Sequence, residues 1–128
     1  MRNRGFTLIE LLITIAIMGL AMGLVGPLAI EQLDKFRAQD ELVQLEKTIK
    51  NHRRLAFINH HTTHIVLENQ RASISISDDN QQVTEFEFIS FEPQQLLINR
   101  NGFMEPTEVA VEYNNQQRVL EFENAGVY

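Results

Sequence analysis

The chain divides into an uncharged apolar stretch near its start and a longer polar part in which hydrophobic residues recur at regular intervals. Residues 11–30 contain no charged side chain. Twenty helical residues span about 30 Å, which is the thickness of the hydrocarbon core of a bilayer. Residues 6–30 are therefore predicted to form a transmembrane helix.

A helical pattern continues beyond the apolar stretch, from Glu31 to Phe57. Hydrophobic residues recur there at mostly three- and four-residue steps, which is typical of one face of an amphipathic helix. They are Ile30, Leu33, Ala38, Leu42, Leu45, Ile49 and Ala56. Residues 31–57 are therefore predicted to extend the membrane helix into water. Because Pro27 cannot donate a hydrogen bond to the preceding turn, we expect a kink or local break at Gly26 and Pro27.

After His60 the hydrophobic period changes to two, which is typical of half-buried strands. The alternating runs are centred near Ile65, Ile74, Leu96, Val111 and Leu120. Turn-forming residues separate these runs; they are Asn69-Gln70, Asp78-Asp79-Asn80, Pro93, Asn101-Gly102, Pro106 and Asn114-Asn115. Residues 58–128 are predicted to form an antiparallel β domain of five or six strands in a meander. The expected fold class is α+β, with the long helix packed on one face of a small sheet.

Charge and composition exclude several classes of function. The formal net charge is −6, and an acidic body argues against nucleic-acid binding because phosphate contacts require a basic surface. The chain has no cysteine, which excludes a disulfide framework, thiolate catalysis and thiolate metal sites. Hydrolase, nucleotide-binding and zinc-protease motifs are also missing from the sequence. We therefore expect a protein that is not an enzyme and that uses no cofactor.

Four histidines near the predicted end of the helix are candidates for a metal site; they are His52, His60, His61 and His64. If the helix continued, His60 and His64 would share a face and could bind zinc or copper. Asn59 and the two threonines after His61 indicate instead that the helix has ended, which favours a polar junction. The Asp78-Asp79-Asn80 segment lacks a further acidic ligand for calcium and is interpreted as a hairpin turn. No metal site is predicted.

A short basic patch is predicted near the end of the helix, where Arg53 and Arg54 follow Lys47 and Lys50. One interpretation is a DNA-binding surface. The other is a solvated helix face, or one that contacts an acidic neighbour. The negative net charge favours the second interpretation.

The residues ahead of the apolar stretch form a motif, Arg4-Gly5-Phe6-Thr7-Leu8-Ile9-Glu10-Leu11-Leu12. The arginines Arg2 and Arg4 make residues 1–5 a basic leader and place the amino end on the cytoplasmic side by the positive-inside rule. Glu10 is a lone carboxylate within an apolar run. Intramembrane carboxylates usually have a partner or a role, so Glu10 is a candidate functional residue.

This motif resembles the prepilin processing site of type IV pilins and type II secretion pseudopilins. The resemblance implies cleavage between Gly5 and Phe6 by a prepilin peptidase, with N-methylation of Phe6. It also implies that Glu10 pairs with the Phe6 amine of an adjacent subunit during assembly. The implied partners are other pilin or pseudopilin subunits, the peptidase, an inner-membrane assembly platform and membrane lipid. The implied location is the bacterial inner membrane, crossed once with the carboxyl-terminal domain in the periplasm, and then the pilus or pseudopilus.

Two segments of the polar part are similar to minor pseudopilins of the H type and to related minor pilins. They are residues 52–57 and residues 97–102. The resemblance implies a minor structural subunit of a type II secretion pseudopilus or a type IV pilus. One alternative is a DNA-binding minor pilin of a competence system. Another is a soluble periplasmic protein whose ordinary signal peptide ends near Leu24, after a small-residue site at Ala21-Met22-Gly23.

Overall fold

The structure is a computed structural model that describes residues 5–76, 81–113 and 115–124. In these residues one long helix is followed by antiparallel strands, which confirms the predicted α+β fold class. The elements are α1 (Leu8–Asn59), β1 (Thr63–Asn69), β2 (Arg71–Ser75), β3 (Gln81–Glu85), β4 (Ile89–Ile98), β5 (Met104–Glu105), β6 (Glu108–Tyr113) and β7 (Gln116–Glu121). The chain forms two compact units, Met1–Lys35 and Phe36–Tyr128.

The first unit consists of the amino-terminal part of α1. Every large hydrophobic side chain from Phe6 to Leu33 is exposed in this unit. An 18-residue window has a mean hydropathy of 2.4, so by length and composition α1 could cross a membrane. The helix continues through Gly26 and Pro27 without a break. A bend at these two residues stays a prediction.

The second unit has a hydrophobic core between α1 and the sheet. Five buried residues of α1 follow three-, four- and seven-residue steps and pack in one cluster with the strands; they are Ala38, Leu42, Leu45, Ile49 and Ala56. Ile65 and Leu67 alternate with exposed residues along β1 and contribute to the same cluster. Two members of the predicted apolar face, Ile30 and Leu33, are exposed and belong to the first unit.

The strand order is β3-β2-β1-β4-β6-β7, with the two-residue β5 paired to β4. Because β4 pairs with β1 and not with β3, the predicted meander is wrong at this connection. Burial explains the order. Strand β4 buries Ile89, Phe91, Leu96 and Ile98 and takes a central position, whereas β3 buries none of its residues and takes the edge. The short β5 raises the number of described strands to seven.

Candidate functional site

The start of α1 is organised by a reciprocal pair of hydrogen bonds between Thr7 and Glu10. The Thr7 amide donates to Glu10 Oε2 at 3.0 Å, and the Glu10 amide donates to Thr7 Oγ1 at 3.4 Å. The Thr7 hydroxyl also donates to Glu10 Oε2 at 3.0 Å. This is a capping box, in which two residues three apart satisfy backbone donors that have no partner inside the helix.

The capping box gives Glu10 a fixed position at the exposed amino end of α1. Its negative charge lies in the first helical turn, where the helix dipole is positive and favours an anion. Both hydrogen bonds that Thr7 donates to this carboxylate reach Oε2. Glu10 is among the candidate residues of the sequence, whereas Thr7 is not. The spacing Thr-x-x-Glu ahead of an apolar run was the signal that could have found it.

The two residues at the predicted cleavage site have open surroundings within their own chain. A Cβ added to Gly5 would meet no atom within 4 Å, and Phe6 is 84% exposed. Gly26 has equally open surroundings. The packing of the described residues therefore gives no steric reason for glycine at position 5 or 26.

In the second unit, Glu41 of α1 accepts hydrogen bonds from three consecutive backbone amides. Its Oε1 accepts from Glu87 N at 2.8 Å, and its Oε2 accepts from Phe88 N at 2.8 Å and from Ile89 N at 3.1 Å. The Arg37 guanidinium lies 5.8 Å from the centre of the Phe88 ring, within the range of a cation–π contact. Glu41 thus fixes the connection between β3 and β4 to the helix.

Arg53 is buried, which corrects its placement in a basic surface patch. Only 6% of the residue is exposed. Its Nε donates to Gly102 O at 2.8 Å, and its Nη2 donates to Glu123 O at 2.9 Å. Burial lowers the pKa of Arg53 from its ordinary value. Its role within the described residues is to join the helix to the β4–β5 turn and to the segment after β7.

Asn124 completes the same network from the segment after β7. Its Oδ1 accepts from Met104 N at 2.9 Å, and its Nδ2 donates to Met104 O at 3.0 Å. The Arg53 Nη2 atom also lies 3.4 Å from Asn124 Oδ1. The side-chain amide therefore takes the place of a neighbouring strand along the short β5, and it closes the core over the buried Met104.

The other candidate sites gain little support from the geometry. Among the described residues there is no group of three or more His, Asp or Glu side chains that could hold a metal ion. The Asp78-Asp79-Asn80 segment lies outside those residues. Of the phenylalanines, Phe86, Phe91 and Phe122 are buried, whereas Phe103 is 42% exposed.

Comparison with known proteins identifies the amino-terminal segment. A protein-family model described as "Prokaryotic N-terminal methylation motif" matches residues 1–26, which include Gly5, Phe6 and Glu10. No curated protein and no solved structure matches the chain. The motif implies processing by a prepilin peptidase and assembly with other pilin subunits, and it indicates a structural subunit rather than an enzyme. Together with the apolar helix, the motif supports a membrane-anchored, single-pass subunit that is pilin-like or pseudopilin-like.

Proposed function

We propose that this chain is a minor structural subunit of a type II secretion pseudopilus or a type IV pilus. The observation that carries the proposal is the methylation motif together with a helix whose large hydrophobic residues as far as Leu33 are all exposed. Moving one large apolar side chain out of water lowers the free energy by about 1.5–3 kcal/mol. The first unit therefore requires a surrounding of lipid at one stage and of neighbouring helices at another.

The open surroundings of Gly5 and Phe6 support the proposed cleavage and methylation steps, which the motif implies. A peptidase must bring its catalytic groups to the peptide bond between these residues, and Gly5 presents no side chain to obstruct it. Cleavage then leaves an amine on Phe6, which the peptidase methylates. The new amine lies in the same chain as Glu10, four residues before it.

Glu10 is proposed to pair with the Phe6 amine of an adjacent subunit during assembly. Thr7 holds the carboxylate through Oε2. Pairing across subunits satisfies both charges at a depth where an isolated charge costs several kcal/mol. The polar end of each helix thus aligns with that of its neighbour, while Gly26 and Pro27 provide a bend that adjusts the packing of the helices.

The proposed location is the bacterial inner membrane, with residues 6–30 in the bilayer and the amino end in the cytoplasm. The arginines of the leader support this orientation. Residues 31–57 and the β domain from residue 58 onward are then in the periplasm. From there an inner-membrane assembly platform would transfer the subunit from lipid into the filament.

The DNA-binding alternative loses its main support. Arg53 is buried, Lys50 pairs with Glu46, and the Arg54 guanidinium bonds to Asn51 Oδ1 at 3.2 Å. With Arg53 buried, a phosphate backbone could meet only three cations of the predicted patch, and Lys50 among them is already paired with a carboxylate. We propose the filament subunit and not a DNA-binding protein.

Two substitutions at Glu10 separate its charge from its capping role. Glu10→Gln keeps an acceptor oxygen for Thr7, as a capping box allows, but removes the negative charge. Glu10→Leu removes both. We expect both variants to insert in membranes and to lose at least about tenfold in incorporation into assemblies, because one lost charge pair costs more than about 1.4 kcal/mol. The measurement is crosslinking of the full chain in its native cells, followed by quantification of the crosslinked and the membrane-bound fractions.

Glu31→Leu is the matched control, since Glu31 is an exposed acidic residue of the same helix outside the motif. It should assemble as the wild type does. Normal incorporation of both Glu10 variants would remove this residue from the assembly mechanism. If only Glu10→Leu fails, Glu10 acts as a helix cap and not as a charge partner.

A further inference from the structure

Three polar atoms without a hydrogen-bond partner among the described residues lie at the junction between α1 and β1. They are Nδ1 of His52, Nε2 of His61 and Oγ1 of Thr63, and all three are buried. His52 is only 6% exposed and Thr63 is 0% exposed. A buried polar atom without a partner is destabilising, so this junction is a weak point of the core.

The end of the helix brings the His61 backbone back to the last helical turn. His60 has a positive φ of 51°, and His61 N donates to Ala56 O at 3.2 Å. These are the features of a Schellman motif, which reverses the chain over the last helical turn. His61 is thereby held close to the end of the helix, whose buried face includes Ala56 and, one turn earlier, His52.

The electrostatic surroundings of His52 disfavour its protonated form. Burial lowers the pKa of His52, and the charge on His61 lowers it further. Arg53, the next residue, adds a buried cation to the same turn. The inward-facing residues of β1, β4 and β5 are uncharged, and their carboxylates, Glu68, Glu92 and Glu105, are exposed.

We propose that His52 and His61 form an acid-sensitive latch between the end of α1 and the start of β1. Above neutral pH the His52 imidazole is uncharged and the junction is closed. In acid, a proton on His52 places a charge among His61, Arg53 and an apolar core, with no carboxylate on the inward faces of β1, β4 and β5 to neutralise it. The junction then opens locally. The proposal concerns the folded second unit and does not depend on the proposed function.

The direction of the effect follows from linkage. An unfolded histidine has a pKa near 6.5, and the pKa of folded His52 is lower. The open state therefore binds more protons than the closed state below pH 6.5. Stability from the uncharged His52 is present above pH 6.5 and is lost as the pH falls towards the folded pKa of His52. At pH 5.0 one histidine can raise the opening equilibrium by no more than about thirtyfold.

Hydrogen exchange of the full chain in non-ionic detergent micelles tests the latch. Opening constants at pH 7.5 and 5.0 are compared after correction for the intrinsic exchange rates, for a peptide covering residues 52–65 and for one covering β6 and β7. We expect acid to raise the opening of the first peptide several-fold more than that of the second. In His52→Gln this excess should disappear, because the variant cannot take up the proton. His64→Gln, on an exposed position of β1, is the control and should keep the excess.

The same excess in wild type and His52→Gln, or none in the wild type, would overturn the proposal. If His52→Gln does not fold, His61→Gln should reduce the excess, because it removes the neighbouring charge. If neither folds, an NMR titration of His52 in the wild-type chain decides. A midpoint below pH 6.5 supports the latch, and one at or above 6.5 contradicts it.

Discussion

The two compact units of this chain differ in how far they bury their hydrophobic side chains and in the hydrogen-bond partners that they provide. In Phe36–Tyr128 the large hydrophobic residues of the core are buried, and Glu41, Arg53 and Asn124 find hydrogen-bond partners within the chain. In Met1–Lys35 every large hydrophobic residue from Phe6 to Leu33 is exposed. The second unit thus provides a hydrophobic core and hydrogen-bond partners for these residues, whereas the described part of the first unit buries none of its large hydrophobic residues.

The glycines show the same difference on a smaller scale. Gly102 has a positive φ of 75°, is buried, and offers its carbonyl to Arg53, so the fold itself favours glycine there. A Cβ at Gly5 or Gly26 would meet nothing within 4 Å. A substitution at Gly102 should therefore affect folding, whereas one at Gly5 should affect only an encounter with another protein.

Among substitutions that leave the fold unchanged, one at Gly5 should have the largest effect, which is a loss of cleavage. In Gly5→Leu the added side chain would hold the scissile bond away from the catalytic groups of a peptidase. A misplacement of about 1 Å can cost about a hundredfold in rate. We expect cleavage in cells to fall by about that factor, measured as the ratio of processed to unprocessed chain by mass spectrometry.

The control for this variant is Gly26→Ala, at a glycine with equally open surroundings but outside residues 4–12, which surround the predicted cleavage site. It should be processed normally. The urea unfolding midpoint of the second unit should be the same in Gly5→Leu as in wild type. Normal processing of Gly5→Leu would contradict the claim that glycine at position 5 serves an encounter with a peptidase.

Removal of the Arg53 guanidinium should cause the largest loss of stability in the second unit. Arg53→Met keeps much of the side-chain volume but leaves Gly102 O and Glu123 O without their donor. We expect a loss of about 3 kcal/mol in the free energy of unfolding, since buried acceptors without a partner cost about 1–3 kcal/mol each. Urea denaturation of the full chain in detergent, followed by circular dichroism, measures it.

Arg54→Met is the matched control, because Arg54 is exposed and bonds only to Asn51 among the described residues. It should change stability by less than about 0.5 kcal/mol. Processing at Gly5 should be normal in both variants. Equal effects of the two substitutions would contradict the buried position of Arg53.

The Glu41 carboxylate should contribute somewhat less than Arg53 to the stability of the second unit. In Glu41→Gln one acceptor oxygen is replaced by an amide that faces the backbone donors of Glu87, Phe88 and Ile89. We expect a loss of about 2 kcal/mol, measured by the same denaturation experiment. Glu46→Gln breaks only an exposed pair with Lys50 and should cost about 0.5 kcal/mol or less. A loss in Glu41→Gln no larger than in Glu46→Gln would show that the three hydrogen bonds do not anchor the β3–β4 connection.

The role of a residue that contacts near neighbours along the chain can be predicted from the sequence. The role of a residue that binds distant partners cannot. The three- and four-residue steps predicted the buried face from Ala38 to Ile49, and the period of two predicted Ile65 and Leu67. The Thr7–Glu10 pair spans three residues and was accessible in the same way. The donors to Glu41 are 46 to 48 residues away, and the acceptors of Arg53 are 49 to 71 residues away. No local pattern could have indicated either network.

The strand order shows the same limit. The alternation predicts the strands themselves, but it does not indicate which strands are neighbours in the sheet, as β1 and β4 are. Their pairing depends on the total burial of each strand against α1, and β4 buries four hydrophobic residues where β3 buries none. Phe103 shows the limit of residue type, because phenylalanine is usually buried, whereas this one follows the β4–β5 turn and is 42% exposed.

The mass of the amino-terminal peptide of the mature protein tests the central claim most directly. It should be measured in cells that contain a prepilin peptidase and in cells from which the peptidase has been deleted. The account predicts a peptide that begins at Phe6 and carries one added methyl group, and that is lost without the peptidase. A peptide that begins near Leu24, or an uncut Met1 in both strains, would contradict it and would leave α1 as a signal peptide or a simple anchor.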